Sequence, residues 1–159
     1  MIFLTHAALG ILLGIIYLHH GVSYTSAPLV FLTILVGALL PDIDVGTSYL
    51  GRHLRPLNDF FQHRKFFHSL AFMTLGAIAL AFLLHNPDYA VAFMLGFSSH
   101  LFLDSLTPGG LYAFWPARLS IKGKFKTGSF FDWTLLAVFV ALIFYYIYAY
   151  NIDLVAQLL

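Results

Sequence analysis

A chain of 159 residues has room for one domain, and this one is 60% hydrophobic and 9% charged, against roughly 25% charged in an ordinary soluble domain. A core of this size cannot hide so much apolar surface, so lipid must serve as part of the solvent. The net charge of +1 excludes a strongly basic nucleic-acid binder, and the absence of cysteine excludes disulfides and thiolate metal ligands.

The opening run Met1-Ile2-Phe3-Leu4-Thr5-His6 has neither the positive start nor the small-residue cleavage site of a signal peptide. It reads as the beginning of a retained first span. A bilayer crossing needs about 20 apolar residues, with a workable range of about 17–25. Five segments meet or approach this, at 2–18, 27–41, 66–85, 89–106 and 130–150. Their apolar runs are continuous and lack the alternation of barrel strands. The expected fold is therefore all-α, a polytopic membrane helical bundle forming a single domain over 1–159.

Charge sets the expected orientation. Arg52, Arg55, Arg64 and Lys65 lie between spans two and three, and Arg118, Lys122, Lys124 and Lys126 lie between spans four and five. No lysine or arginine falls in 19–26, in 86–88 or after Tyr150. The positive-inside rule places both long loops in the cytoplasm, with the N-terminus inside and the C-terminus outside. Tyr145, Tyr146, Tyr148 and Tyr150 would form an outer aromatic belt. Trp115 and Trp133 would lie near the inner one.

On that topology the ionisable residues collect on one face. His6 begins span one, Asp42 and Asp44 end span two behind Pro41, His63 and His68 precede or open span three, and His100 and Asp104 end span four. Ionisable groups within spans are costly and usually face the bundle interior. Imidazoles and carboxylates together suit a divalent cation, whose charge offsets their burial. His100 and Asp104 stand at i and i+4, on one helical face. Seven candidate ligands (His6, Asp42, Asp44, His63, His68, His100, Asp104) exceed the need of one tetrahedral ion, which points to two ions, zinc or manganese, bridged by a carboxylate. The alternative for His100 and Asp104 is a hydrogen-bonded or capping pair, and for His6 a contact with headgroups. Asp44 could instead hold a ligand His through its ring N–H. His19, His20 and His85 fall at the outer side, away from the cluster, and His53 reads as a solvated loop residue. Asp132 reads as a cap of the last helix, and Ser69, Ser99 and Thr107 as second-line donors or as helix caps.

The spacing His6 to Asp42 equals the spacing His68 to Asp104, at 36 residues. The same alignment lays Gly14 on Gly76 and Phe31 on Phe93. A duplicated helical hairpin would produce this, and so would a chance alignment of two similar apolar hairpins.

The ordered set Leu40-Pro41-Asp42-Ile43-Asp44, His63-Arg64 with His68-Ser69, Gly96-Phe97-Ser98-Ser99-His100-Leu101-Phe102-Leu103-Asp104-Ser105-Leu106-Thr107-Pro108 with Gly110, and Trp115-Pro116 resembles the YdjM family. That resemblance runs from about Thr5-His6 to Pro116 and implies an inner-membrane, metal-dependent hydrolase. The order of His and Asp is also similar to zinc-dependent phospholipase C. This chain lacks the later His and Glu residues of that enzyme, so a three-zinc site is not expected.

The hydrolase reading assigns a metal-activated water to attack on phosphorus or a carbonyl. Asp44 or Asp104 would orient it or take its proton. Arg64 and Lys65 would hold an anionic headgroup, and the basic loops would attract anionic lipid. Tyr49, Leu50, Leu54, Leu57, Phe60 and Phe61, interleaved with Arg52 and Arg55, read as a segment along the interface. Lys122, Lys124 and Lys126 alternate, as in a short strand or an extended lid, with Gly123 and Gly128 as flexible points. The expected substrate is a phosphoester or phospholipid-like molecule. A metal-ion transporter and a non-catalytic protein stabilised by metal are the alternatives. Transport sites usually lie at the bilayer midplane, whereas these ligands gather at one end.

Overall fold

The computed structural model describes residues 1–20, 26–44, 66–117 and 119–150, with the backbone alone at Ile43 and Asp44. Helix α1 spans Phe3–His20. Helix α2 spans Ala27–Leu39 and runs into a 3-10 turn over Leu40–Asp44. Pro41 has no N–H for continued α-helical bonding and its ring crowds the preceding turn, which accounts for the change of winding there.

Helix α3 spans Leu70–Leu84. Ser69 caps it by accepting from the Phe72 amide, satisfying one of the free N–H groups at its start. The sequence placed this span from 66. The residues ahead of Leu70 instead form a turn, closed by Ser69 Oγ donating to the Phe66 carbonyl at 2.6 Å. The helix ends at His85, whose φ of 51° reverses the winding. Asn86 caps α4 at once, accepting from Asp88 N at 2.8 Å, with Pro87 at the first helical position. Helix α4 spans Pro87–Ser105, and α5 spans Phe130–Ala149.

Among the described residues the architecture is all-helical, relieved only by an isolated antiparallel bridge between Leu111 and Ile121. Two helices, α1 and α5, combine the length and apolar composition of a bilayer crossing, while α2 and α3 are apolar but shorter.

The bundle is organised around α2 and α4, with α1 on α2, α3 on α4, and α5 on the outside of α1. The central pair is close enough that a Cβ on Gly96 would lie 2.0 Å from the Ile34 carbonyl oxygen, and one on Gly37 would lie 2.5 Å from the Phe93 carbonyl oxygen. Only glycine permits backbones this near. In the outer pairs the glycine receives a ring instead. A Cβ on Gly14 would meet Phe31, and one on Gly76 would meet Phe93, each at 2.7 Å. These are the positions that the 36-residue correspondence aligns. Both hairpins therefore solve their crossing in the same way, which favours duplication over coincidence.

The segment after α4 is bonded to the end of that helix rather than lying over it as a free lid, and among the described residues its strand character is limited to the single bridge at Ile121. Gly123 N donates to the Thr107 carbonyl at 2.9 Å and Phe125 N to the Leu106 carbonyl at 3.0 Å. A Cβ on Gly123 would fall 2.0 Å from the Leu106 carbonyl oxygen, so this glycine serves close packing rather than flexibility. Leu111 and Ala113 are buried with Met73, Phe97 and Leu101, and the Ala113 carbonyl accepts from Leu70 N. The segment thus folds under the ends of α3 and α4. Lys122, Lys124 and Lys126 remain exposed.

The two kinds of glycine contact differ in what must move. Gly96→Ala presses on backbone and is expected to destabilise the protein by about 1–3 kcal/mol, the usual cost of overpacking. Gly76→Ala presses on a ring that can turn, and should cost less. Thermal unfolding of both variants in one detergent gives the comparison.

Candidate metal centre

Four chain segments deliver side chains to one end of the bundle. His6 stands in the first turns of α1, Asp42 in the 3-10 turn after α2, His68 just ahead of α3, and His100 and Asp104 in the last turns of α4. Alternating helix direction explains the convergence, since both entering and returning hairpin arms meet at the same end.

His6, His68 and His100 are each at most 1% exposed, while the side chains of Asp42 and Asp104 retain 16% and 12%. The imidazoles therefore lie beneath, and the carboxylates form the side reached from outside.

Asp104 is the hub. Its Oδ1 lies 3.3 Å from His6 Nε2, and its Oδ2 lies 3.5 Å from both His68 Nε2 and His100 Nε2. Asp42 Oδ1 lies 3.8 Å from His100 Nε2. The α-amino group of Met1 also reaches Asp104 Oδ1, at 2.9 Å. His6 stacks on His100 with ring centroids 4.0 Å apart.

His100 is fixed from behind. Its Nδ1 lies 2.7 Å from the Ala38 carbonyl oxygen. A carbonyl can only accept, so Nδ1 carries the proton and Nε2 presents a lone pair to the cluster. His100 Nε2 and both ring nitrogens of His6 are buried without a hydrogen bond. Such groups are rare and costly when nothing compensates them.

These separations fit metal ligation. Two atoms each about 2.0–2.1 Å from a tetrahedral ion stand about 3.3–3.4 Å apart, close to most of the distances around Asp104. Ligand atoms of Asp42, His68, His100 and Asp104 all fall within 4.8 Å of one another. Nitrogen and oxygen donors in this mixture suit a borderline divalent ion. The residues present fit a metal.

Five of the seven ligands expected from sequence are thus brought together. His63 lies outside the described residues, as do Arg64, Lys65, His53 and the interface segment from Tyr49 to Phe61; so does the side chain of Asp44. His20 lies at the other end of α1, 2.7 Å from the Tyr146 hydroxyl, and His85 closes α3 on that side. Ser69 caps its helix, Ser99 Oγ donates to the Gly96 carbonyl, and Thr107 Oγ1 donates to the Asp104 carbonyl. These three act on backbone. Sequence reasoning found no reach of Asp132 beyond its own helix. In the structure it also accepts from Ile2 N and from the Thr5 hydroxyl, and a lone acid at a helix start gives no signal of a distant partner.

The family profile described as YdjM inner membrane protein matches residues 1–158. The uncharacterized protein YvsG of Bacillus subtilis is 33% identical over 119 residues, covering 71% of this chain and 74% of the relative. The inner membrane protein YdjM of Escherichia coli is 38% identical over 91 residues, covering half of this chain and 45% of that protein, and YdjM of Shigella flexneri matches to the same extent. This alignment spans less than half the length of either YdjM protein. No solved structure matches.

His100→Ala and Asp104→Ala are expected to reduce bound divalent metal at least tenfold relative to the parent protein. His20→Ala should leave it unchanged. Elemental mass spectrometry of the purified, detergent-solubilised proteins measures this directly.

Proposed function

Because the chain belongs to the YdjM family of inner membrane proteins, we propose that it is a multi-pass membrane hydrolase with a metal centre facing the cytoplasm and a phosphoester or phospholipid-like substrate. The observation that carries this reading is His100, buried, clamped through Nδ1 to the Ala38 carbonyl and aiming a free Nε2 at two carboxylates. Packing alone gives no reason to bury such a group. A metal ligand needs this arrangement, with the second ring nitrogen tied down to fix the tautomer.

His6, His68, His100, Asp42 and Asp104 would hold the metal. Asp104 turns one oxygen toward His6 and the other toward His68 and His100, and the number of donors would suit two ions. Zinc or manganese matches the donors. A bound divalent ion would supply Lewis acidity and lower the pKa of water at the site toward neutrality. The chain's own residues do the rest. The buried imidazoles keep bulk water from the rear of the centre, and the partly exposed carboxylates of Asp42 and Asp104 flank the approach. Asp44 or Asp104 would take the proton released by the attacking water, and Arg64 and Lys65 would hold the anionic group of the substrate.

The membrane arrangement is five crossings with the N-terminus inside. Support comes from the apolar residues that α2 and α3 turn outward, among them Leu32, Val36, Leu75, Ile78 and Phe82, which in water would form an exposed patch. The lysines of the segment after α4 lie at the same end as the metal centre, as the positive-inside rule requires of the cytoplasmic side.

The absence of native cysteine makes topology simple to test. A single cysteine at Lys124 should react with an impermeant thiol reagent only from the cytoplasmic side, and one at Asn86 or Tyr150 only from outside. Crossing by α1 and α5 alone would reverse the result at Lys124.

Activity is tested on the purified protein with a panel of phospholipids and phosphodiesters. Turnover should vanish with chelator, return with zinc or manganese, and fall at least 100-fold in Asp104→Asn and His100→Ala. Uptake of metal into proteoliposomes without any hydrolysis would replace the enzyme with a transporter.

A further inference from the structure

Helix α5 is attached to the bundle through α1, and the one residue it buries is Asp132. A fully buried carboxylate in an apolar chain requires compensation, and Asp132 has three donors. Its Oδ2 accepts from Gly128 N at 2.8 Å and from Ile2 N at 2.9 Å, and its Oδ1 accepts from the Thr5 hydroxyl at 2.7 Å. The Gly128 bond caps the start of α5. The other two bonds come from more than a hundred residues away in sequence, from Ile2 just ahead of α1 and Thr5 in its first turn. Thr5 is itself fully buried and directly precedes His6.

His6 has no hydrogen bond to orient its ring, since both nitrogens lack one. It meets the cluster through stacking on His100 and through its 3.3 Å approach to Asp104. The placement of that ring is therefore set from its backbone. The backbone there is held by Asp132, through the Ile2 amide and the neighbouring hydroxyl.

We infer that Asp132 is a positioning residue of the metal centre: it pins the first turn of α1 so that His6 meets Asp104, and thereby makes the last helix part of the site. The inference rests on the metal reading above. Among the described residues Asp132 bonds to no proposed ligand, and it reaches the centre through α1.

Asp132→Asn tests it. The substitution keeps the volume but turns an N–H group toward donors that need an acceptor. Titrated with cobalt(II) in detergent, the variant should bind about 10–100-fold more weakly than the parent protein, the range found when groups supporting a ligand are removed. The visible absorption of the bound cobalt should also change, with helix content by circular dichroism unaltered. Combining Asp132→Asn with His6→Ala should weaken binding no further than His6→Ala alone, because both remove the same contribution. Thr5→Val, which deletes one of the three bonds, should shift the cobalt spectrum in the same direction by less, and it serves if Asp132→Asn does not fold. Parental affinity and spectrum in the folded variants, or additive losses in the double variant, would overturn the inference and leave the metal reading standing. A parent protein that takes up no cobalt would overturn both.

Discussion

A carboxylate buried at the end of an apolar helix loses most of its water, and the chain around Asp104 is arranged to replace it. Two oxygens face three imidazoles, one from each of three separate elements, and the Met1 amino group closes on one of them. Once Asp104 is fixed at the end of α4, His6 must come from the start of α1 and His68 from the turn before α3. Those requirements set which helix ends meet. The ring nitrogens that remain without hydrogen bonds, on His6 and His100, mark where a cation's charge would balance the account.

The scaffold that brings these ends together is made by close backbone approach. Gly37 and Gly96 let α2 and α4 touch almost without side chains between them. That proximity puts the Ala38 carbonyl within 2.7 Å of His100 Nδ1. Packing and site are thus one feature, since separating the central helices would release the imidazole that the carbonyl orients. Gly14 with Phe31 and Gly76 with Phe93 repeat a second kind of crossing in each hairpin. Among the described residues Asp104 lies amid three imidazoles, and Asp42 approaches one of them, His100, at 3.8 Å.

Two buried carboxylates, Asp104 and Asp132, divide the work between them. One faces side chains that can ligate metal. The other faces backbone amides and a hydroxyl, donors that fix geometry and bind no cation. Both converge on the first turn of α1, where Thr5 turns to Asp132 and His6 to Asp104. Neighbouring residues on a helix point in different directions, so a single turn can answer to both.

Periodicity and residue type in the sequence were enough to place five helices and to single out seven His and Asp residues, of which His6, Asp42, His68, His100 and Asp104 meet among the described residues. Burying an ionisable group in an apolar chain is costly enough that its presence is itself a signal, whatever the fold. The i, i+4 spacing of His100 and Asp104 is local geometry, and so was legible as well. Only the tertiary structure could decide that Asp104 meets three imidazoles at once, that Ala38 supplies the acceptor behind His100, and that Gly123 is a packing residue rather than a hinge. It alone joined Asp132 to Thr5 and Ile2. These depend on which surfaces come together across long stretches of chain, and a carboxylate, a carbonyl or a glycine looks the same in sequence whichever partner it will meet.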